Sequence, residues 1–143
     1  MVVPGTGIAP FRAFLHERKA VAAPGPNWLL FGRQRQATDF LYREELQAMQ
    51  ATGHLTRLSL AWSRDSGQKF YVQDRMREVG AALWQWLDQA AHFYVCGDAK
   101  RMAKDVEAAM VDIAAHHDGK SREDAVDFVA RLKKAGRYQA DVY

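Results

Sequence analysis

The first residues that could do chemistry are the glycines of a turn near the start of the chain. The stretch VVPGTGIAPFR places Gly5 and Gly7 between the end of a predicted strand and a predicted helix that begins at Ile8. Glycine lets a backbone approach a ligand closely, and the amino end of a helix attracts an anion. The turn predicts a phosphate site, with an ordinary strand-to-helix turn as the alternative, because Pro10 replaces the third glycine of the dinucleotide fingerprint.

A second group of polar side chains follows another predicted strand. Ser63 and Arg64 are followed within one loop by Lys69, Tyr71 and Gln73. Arginine can bind a phosphate through two parallel hydrogen bonds, lysine adds a point charge, and a tyrosine ring can stack on a flat base. This group would suit a phosphorylated adenosine, and a solvated charged loop is the alternative.

Two arginines stand where a protein that prefers NAD would carry an acidic residue. In such proteins a carboxylate follows the second strand and binds the ribose. Here Arg33 and Arg35 follow the apolar run of residues 28–32 instead. The absence of the acid is consistent with NADP.

The lone cysteine lies at the end of a further predicted strand, in the run Cys96-Gly97-Asp98. There its thiol could touch a reactive ring, or it could be a small buried side chain without a chemical role. His92 lies a strand length away, so covalent catalysis through Cys96 is not expected. The other histidines lack the spacings of metal ligands, and we expect no metal site.

Alternating strands and helices must position these residues. Predicted strands cover residues 28–32, 55–62 and 92–96, the last followed by Gly97 and Asp98, and the tail 137–143 could be a last strand. Predicted helices cover residues 8–20, 41–49 and 72–87, the last with an interruption at Gly80. Asp98 is the predicted N-cap of a helix that includes Met102, Val106, Met110 and Ile113, and a further helix follows a capping box of Ser121 and Asp124. The order predicts an α/β fold of three layers: an open, mostly parallel, doubly wound Rossmann-like sheet, which binds ligands at the carboxyl ends of its strands.

Composition limits the class of protein. The 143 residues are 48% hydrophobic and 26% charged, as expected for one globular domain over residues 1–143. The net charge of +3 is spread along the chain, so no nucleic-acid partner is expected. One cysteine excludes an internal disulfide, and without a signal peptide or membrane-spanning run we expect a cytoplasmic protein. Because the first strand is short, we expect the chain to be the C-terminal part of a longer protein.

Taken together, the motifs resemble the NADPH-binding domain of the ferredoxin-NADP reductase superfamily, and more closely that of its diflavin reductases. The resemblance covers essentially the whole chain, through PGTGIAPFR, DFLY, WSR, KFYVQ, YVCGDA and MAKDV in that order. The ending RYQADVY is most similar to the flavoprotein subunits of assimilatory NADPH-sulfite reductases. The resemblance implies that NADPH is the cofactor here. In a full-length parent it also implies FAD and FMN, with hydride passing from NADPH to FAD and electrons passing through FMN to the haemoprotein subunit of sulfite reductase.

The resemblance also implies a role for each candidate residue. For the nicotinamide and pyrophosphate it implies contacts with Gly5, Thr6 and Gly7, and for the 2′-phosphate and adenine it implies contacts with Ser63, Arg64, Lys69, Tyr71 and Gln73. The catalytic group beside the nicotinamide would be Cys96, Asp98 and Asp141. The FAD ring would stack on Tyr143.

The upstream FAD-binding barrel and FMN domain of such reductases are not in this sequence. We therefore expect the chain alone to be a nucleotide-binding module, inactive without the FAD domain. Two alternatives stay open: the same domain of another diflavin reductase, with an acceptor like that of P450 reductase, and a nucleotide-binding module without catalysis.

Overall fold

The computed structural model describes residues 1–5, 7–98 and 100–143. In that part of the chain five parallel strands form one sheet in the order β3-β2-β1-β4-β5. The strands are β1 Val2–Pro4, β2 Trp28–Arg33, β3 Arg57–Trp62, β4 Phe93–Gly97 and β5 Tyr138–Val142. The parallel doubly wound sheet is confirmed, and the tail does form the last strand.

Helices cover both faces of the sheet, which confirms the three layers. They are α1 Ala9–Ala20, α2 Gln36–Asp39, α3 Arg43–Ala51, α4 Val72–Glu78, α5 Gly80–Asp88, α6 Met102–His117 and α7 Arg122–Lys134. Buried side chains of α1 and α3 pack in one core with half of the β2 side chains, and those of α4 to α7 pack in a second core with the other half. Within the described residues no helix is both long and apolar enough to cross a membrane.

Strand β2 lies between the two cores, and this position accounts for its apolar sequence. Side chains alternate between the faces of a strand, so Leu29 and Phe31 face α1 and α3, whereas Trp28 and Leu30 face the other layer. A strand that is buried on both faces has to be apolar throughout, as the continuous run of residues 28–32 is. The glycine that ends this run, Gly32, lets α4 pack directly on the strand: a Cβ there would lie 3.1 Å from the Cβ of Val72.

The break between α4 and α5 falls next to Gly80, as the sequence predicts. Val79 ends α4, and α5 begins at Gly80. A Cβ on Gly80 would lie 2.9 Å from Nε2 of His117 and 3.3 Å from Cγ1 of Ile113, so glycine lets this helix pair approach α6 closely. The helix that follows Ser121 is also confirmed, because the Ser121 hydroxyl accepts a hydrogen bond from the backbone N–H of Asp124, at 3.1 Å.

Asp98 does not cap α6, so this prediction is wrong. The helix begins at Met102, with Arg101 as its N-cap. The Asp98 carboxylate accepts a hydrogen bond from the backbone N–H of Lys100 at 2.7 Å, within the loop that precedes the helix. Aspartate forms such local loops as readily as it caps helices, and the sequence pattern does not separate the two.

Truncating Phe31 tests the core that supports the carboxyl end of β2. Its ring is fully buried and lies about 6 Å from the rings of Phe40 and Trp62. We expect Phe31→Ala to lower the free energy of unfolding by about 3–5 kcal/mol, because the change leaves a cavity. The matched control is Phe14→Ala, at a ring that is 41% exposed, with an expected loss of less than about 1.5 kcal/mol. Urea unfolding measures both, and equal losses would contradict the assignment of the core.

Candidate functional site

The carboxyl ends of the strands form the edge at which the candidate residues lie. Along the chain the sheet first grows from β1 to β2 and β3, and then continues on the other side of β1 with β4 and β5. In open α/β sheets, ligands bind at the point where this order reverses, here between β1 and β4. Gly5 follows β1 and Asp98 follows β4, so the two flank this point. The loop after β3 lies two strands from β1, or about 10 Å at the usual strand spacing.

Gly5 holds the turn after β1 in a conformation that favours glycine. Its φ is +84°, and its N–H donates a hydrogen bond to the carbonyl oxygen of Gly32 at 2.7 Å. A Cβ at Gly5 would meet nothing within 4 Å, so this side of the turn is open to a ligand. Thr6, which the sequence also predicts to bind cofactor, lies outside the described residues.

Gly7 brings the same turn into contact with β4. A Cβ on Gly7 would lie 2.9 Å from both the carbonyl oxygen and the Sγ atom of Cys96. Real Cβ atoms do not approach other atoms so closely, so any larger residue here would displace the turn or the strand. The two glycines therefore have different roles: Gly5 provides the backbone angle, and Gly7 provides the close approach.

The first turn of α1 follows directly. Ile8 is the N-cap, and its carbonyl oxygen accepts hydrogen bonds from the N–H groups of Phe11 and Arg12, at 3.1 and 3.0 Å. Pro10 lies at the start of the helix, where proline is favoured because a free N–H is not needed for the helix. The departure from the glycine fingerprint at Pro10 is thus compatible with a regular helix that begins at the edge of the sheet.

Cys96 and Asp141 meet across the β4–β5 pair. They are register partners, and the Sγ atom lies 4.0 Å from Oδ2 of Asp141. Cys96 is 2% exposed, and burial together with the negative charge of Asp141 raises the pKa of its thiol. The thiol is therefore protonated at neutral pH.

Two exposed residues complete this end of the site. The backbone N–H of Tyr143 donates to the carbonyl oxygen of Gly97 at 3.1 Å, which places the last residue beside the end of β4 with 70% of its surface exposed. Asp98 is exposed at the same end. The fold thus brings to the ends of β4 and β5 the four candidates from these segments, Cys96, Asp98, Asp141 and Tyr143. Their roles stay predictions.

The loop after β3 carries the cationic half of the site. Within the described residues the side chains of Ser63, Arg64 and Lys69 make no hydrogen bond or ion pair. The backbone N–H groups of Ser63 and Arg64 bind the carbonyl oxygens of Arg33 and Gln34, both at 2.9 Å. These bonds fix the loop against the end of β2 and leave its cationic side chains open to an anion.

Tyr71 and Gln73 enter from the start of α4. Tyr71 is the N-cap of that helix, with its N–H bound to Oδ2 of Asp74 at 2.8 Å and its side chain exposed. Gln73 is half-buried in the first turn. Because α4 packs on Gly32, both residues begin a helix that lies against the same strand end as the β3 loop.

Two aspartates that the sequence analysis missed organise these loops. Oδ2 of Asp65 accepts a hydrogen bond from the backbone N–H of Gln36 at 3.0 Å, and this joins the β3 loop to the start of α2. Oδ2 of Asp39 accepts one from the N–H of Arg35 at 2.9 Å. The bond of Asp39 spans four residues and could have been read from the sequence, but the bond of Asp65 spans 29 and could not.

A separate cavity lies at the opposite edge of the sheet. Its volume is about 650 Å³, and it opens at the amino ends of the strands, between aromatic side chains that include Phe14, Trp28, Trp86 and Tyr94. Within the described part of the chain, no residue predicted to bind cofactor lines it. This cavity is therefore separate from the candidate site.

Comparison with known proteins agrees with this geometry. A family model described as the oxidoreductase NAD-binding domain matches residues 1–108. Over all 143 residues the chain is 55% identical to the protein named sulfite reductase (NADPH) flavoprotein alpha-component of Yersinia enterocolitica, and 54% identical to those of Yersinia pestis and Escherichia coli O1:K1. It spans 24% of the length of each of these relatives.

The thiol of Cys96 gives the first test of the site. We expect it to react with iodoacetamide only well above the ordinary thiol pKa of about 8.5, because burial and Asp141 disfavour the thiolate. Asp141→Asn removes one of these two causes and should move the pH profile of the reaction to lower pH. Asp98→Asn, which changes a carboxylate bound to the N–H of Lys100, is the matched control and should leave the profile unchanged. A wild-type profile centred at or below pH 8.5 would contradict the arrangement.

Proposed function

Because the chain belongs to the oxidoreductase NAD-binding domain family, we propose that it is a single NADPH-binding domain that presents the nicotinamide of NADPH to a flavin. One observation carries the preference for the phosphorylated dinucleotide. The side chains of Ser63, Arg64 and Lys69 have no partner among the described residues and follow a strand end at the ligand-binding edge of the sheet. A phosphate group is the partner that such a group of donors fits.

The proposed nucleotide lies along the carboxyl edge of the sheet. Its pyrophosphate would lie at the open side of Gly5, near the start of α1, and its 2′-phosphate would bind Ser63, Arg64 and Lys69. The exposed ring of Tyr71 would stack on the adenine, and Gln73 would lie beside it. The absence of a carboxylate at the end of β2, where Arg33 is the last residue, supports the 2′-phosphate over a free ribose hydroxyl.

At the other end, Cys96, Asp98 and Asp141 would surround the nicotinamide. NADPH supplies a hydride, and its ring becomes positively charged when the hydride leaves. The carboxylates of Asp98 and Asp141 would stabilise that charge, while the protonated thiol of Cys96 adds none of its own. The exposed Tyr143 would stack on the flavin ring and give way to the nicotinamide during transfer.

The names of the relatives extend the proposal to a parent protein. The chain spans about a quarter of their length. We infer that the parent passes hydride from NADPH to FAD, and then electrons through FMN to the haemoprotein subunit of an assimilatory sulfite reductase. We infer that the parent is a cytoplasmic protein, and the free thiol of Cys96 is compatible with that reducing compartment.

Nucleotide binding tests the proposal directly. We expect NADP⁺ to raise the thermal stability of the 143-residue chain, by about 2.7 kcal/mol at a hundredfold excess over Kd, and NAD⁺ to bind much more weakly. Arg64→Ala should weaken NADP⁺ roughly 10- to 100-fold, because it removes charge-assisted hydrogen bonds to the 2′-phosphate. Its effect on NAD⁺ should be small. Calorimetric titration measures each Kd.

The matched control is Arg131→Ala. Arg131 is exposed on α7 and makes no ion pair with the described residues, so its loss should leave both affinities unchanged. Equal binding of NADP⁺ and NAD⁺ by the wild-type chain would contradict the 2′-phosphate site. Binding of neither, by a chain whose circular dichroism shows that it is folded, would contradict the proposed function.

A further inference from the structure

Arg33, the last residue of β2, carries a buried nitrogen with no partner. Its Nη1 atom is inaccessible to solvent, and no described residue accepts a hydrogen bond from it. In register it pairs with Trp62, the residue before Ser63. A guanidinium nitrogen that is out of water and unbonded costs free energy, so the position calls for an acceptor that the described residues do not supply.

The charge of Arg33 is also uncompensated. It makes no ion pair within the described residues, and Asp39 and Asp65, in the adjoining loops, bind backbone N–H groups. Elsewhere the pattern differs: Arg12 binds both carboxylate oxygens of Glu45, at 2.8 and 3.2 Å. The unpaired charge thus lies at the ligand edge, next to the cations of the β3 loop.

The only other buried side-chain nitrogen without a partner in the described chain belongs to Arg18 and differs in kind. The Nη2 atom of that guanidinium donates to the carbonyl oxygens of Pro24 and Gly25, at 2.7 and 3.2 Å, so the group is partly satisfied by the protein. It also lines the cavity at the amino ends of the strands and is remote from the candidate site.

We propose that Arg33, a partly buried residue, is a further specificity-determining residue, whose side chain turns on binding so that its guanidinium donates hydrogen bonds to the 2′-phosphate of NADP(H). This inference rests on the proposed function. Because the N–H of Ser63 binds the carbonyl oxygen of Arg33 at 2.9 Å, the two residues are adjacent across the strand ends, and one phosphate can contact both. The planar guanidinium fork suits a phosphate, and turning toward it would give the unbonded Nη1 atom an acceptor.

The test compares ligands that differ only in the 2′-phosphate. Calorimetry with adenosine 2′,5′-bisphosphate and with 5′-AMP, and with NADP⁺ and NAD⁺, is performed on the wild-type chain, Arg33→Met and the control Arg131→Met. We expect Arg33→Met to weaken the two 2′-phosphorylated ligands about tenfold and the other two less than twofold. The melting temperature of the free protein should not fall, because the change removes an unbonded buried nitrogen. Arg33→Lys keeps the charge without the fork and should give intermediate affinities.

The possible outcomes distinguish a failure of the role of Arg33 from a failure of the proposed function. Equal weakening of all four ligands, or of none, would overturn the role of Arg33, as would a lower melting temperature with unchanged ligand preference, which indicates a structural residue. If Arg33→Met does not fold, Arg33→Lys provides the test. If that variant prefers 2′-phosphorylated ligands as strongly as the wild-type chain does, the role of Arg33 is overturned and the proposed function is not. A wild-type chain without this preference overturns the proposed function, and the inference with it.

Discussion

Two backbone contacts at the turn after β1 determine where the rest of the carboxyl edge can lie. The N–H of Gly5 binds the carbonyl oxygen of Gly32 on one side, and Gly7 rests against Cys96 on the other. These contacts fix the position of the turn relative to the ends of β2 and β4. The β2 end in turn holds the β3 loop through the Ser63 bond, and the β4 end holds the β5 tail through Gly97. Groups that are remote in the chain are thus held along one edge by main-chain contacts.

The charged side chains at this edge have different surroundings from those on the layer of α1 and α3. On the outer layer, Arg12 binds Glu45 and lies 3.8 Å above the ring of Tyr42, and His16 contacts the same carboxylate at 2.5 Å. The hydrogen bond from Arg12 lowers the pKa of Glu45, as expected when an ion pair supports a helix contact. At the carboxyl ends of the strands, Arg33, Arg64 and Lys69 make no ion pair with the residues that the structure describes. The paired charges join elements of the fold, and the unpaired ones leave a field that favours anions.

Much of the fold could be predicted from periodicity, because buried strands and amphipathic helices have distinct patterns. The continuous apolar run of β2, the break at Gly80 and the cap at Ser121 all follow from local chemistry. The start of α6 was misplaced because an aspartate after a strand can serve either a cap or a loop. The sequence predicts glycines for close approach to a ligand; Gly7 also lies close to another strand, and its ligand contact stays a prediction.

The parts of the site that could not be predicted from the sequence depend on pairs of residues that are far apart in the chain. Nothing local marks Asp65 as the acceptor for the N–H of Gln36, or Asp141 as the register partner of Cys96. The unpartnered nitrogen of Arg33 is likewise visible only once its surroundings are known. Motif resemblance named the cations of the β3 loop, whereas the structure adds which groups hold that loop in place.

The contact between Gly7 and the sulfur of Cys96 bears on how the domain ages under oxidative stress. The sulfur is almost inaccessible and protonated, so peroxide reacts with it slowly. Once oxidised to a sulfenic acid, however, it carries an extra oxygen atom, and on the Gly7 side there is no room even for a methyl group. An oxygen atom added to the sulfur on that side would displace the glycine turn from β4, so oxidation of Cys96 and the position of the turn after β1 are linked.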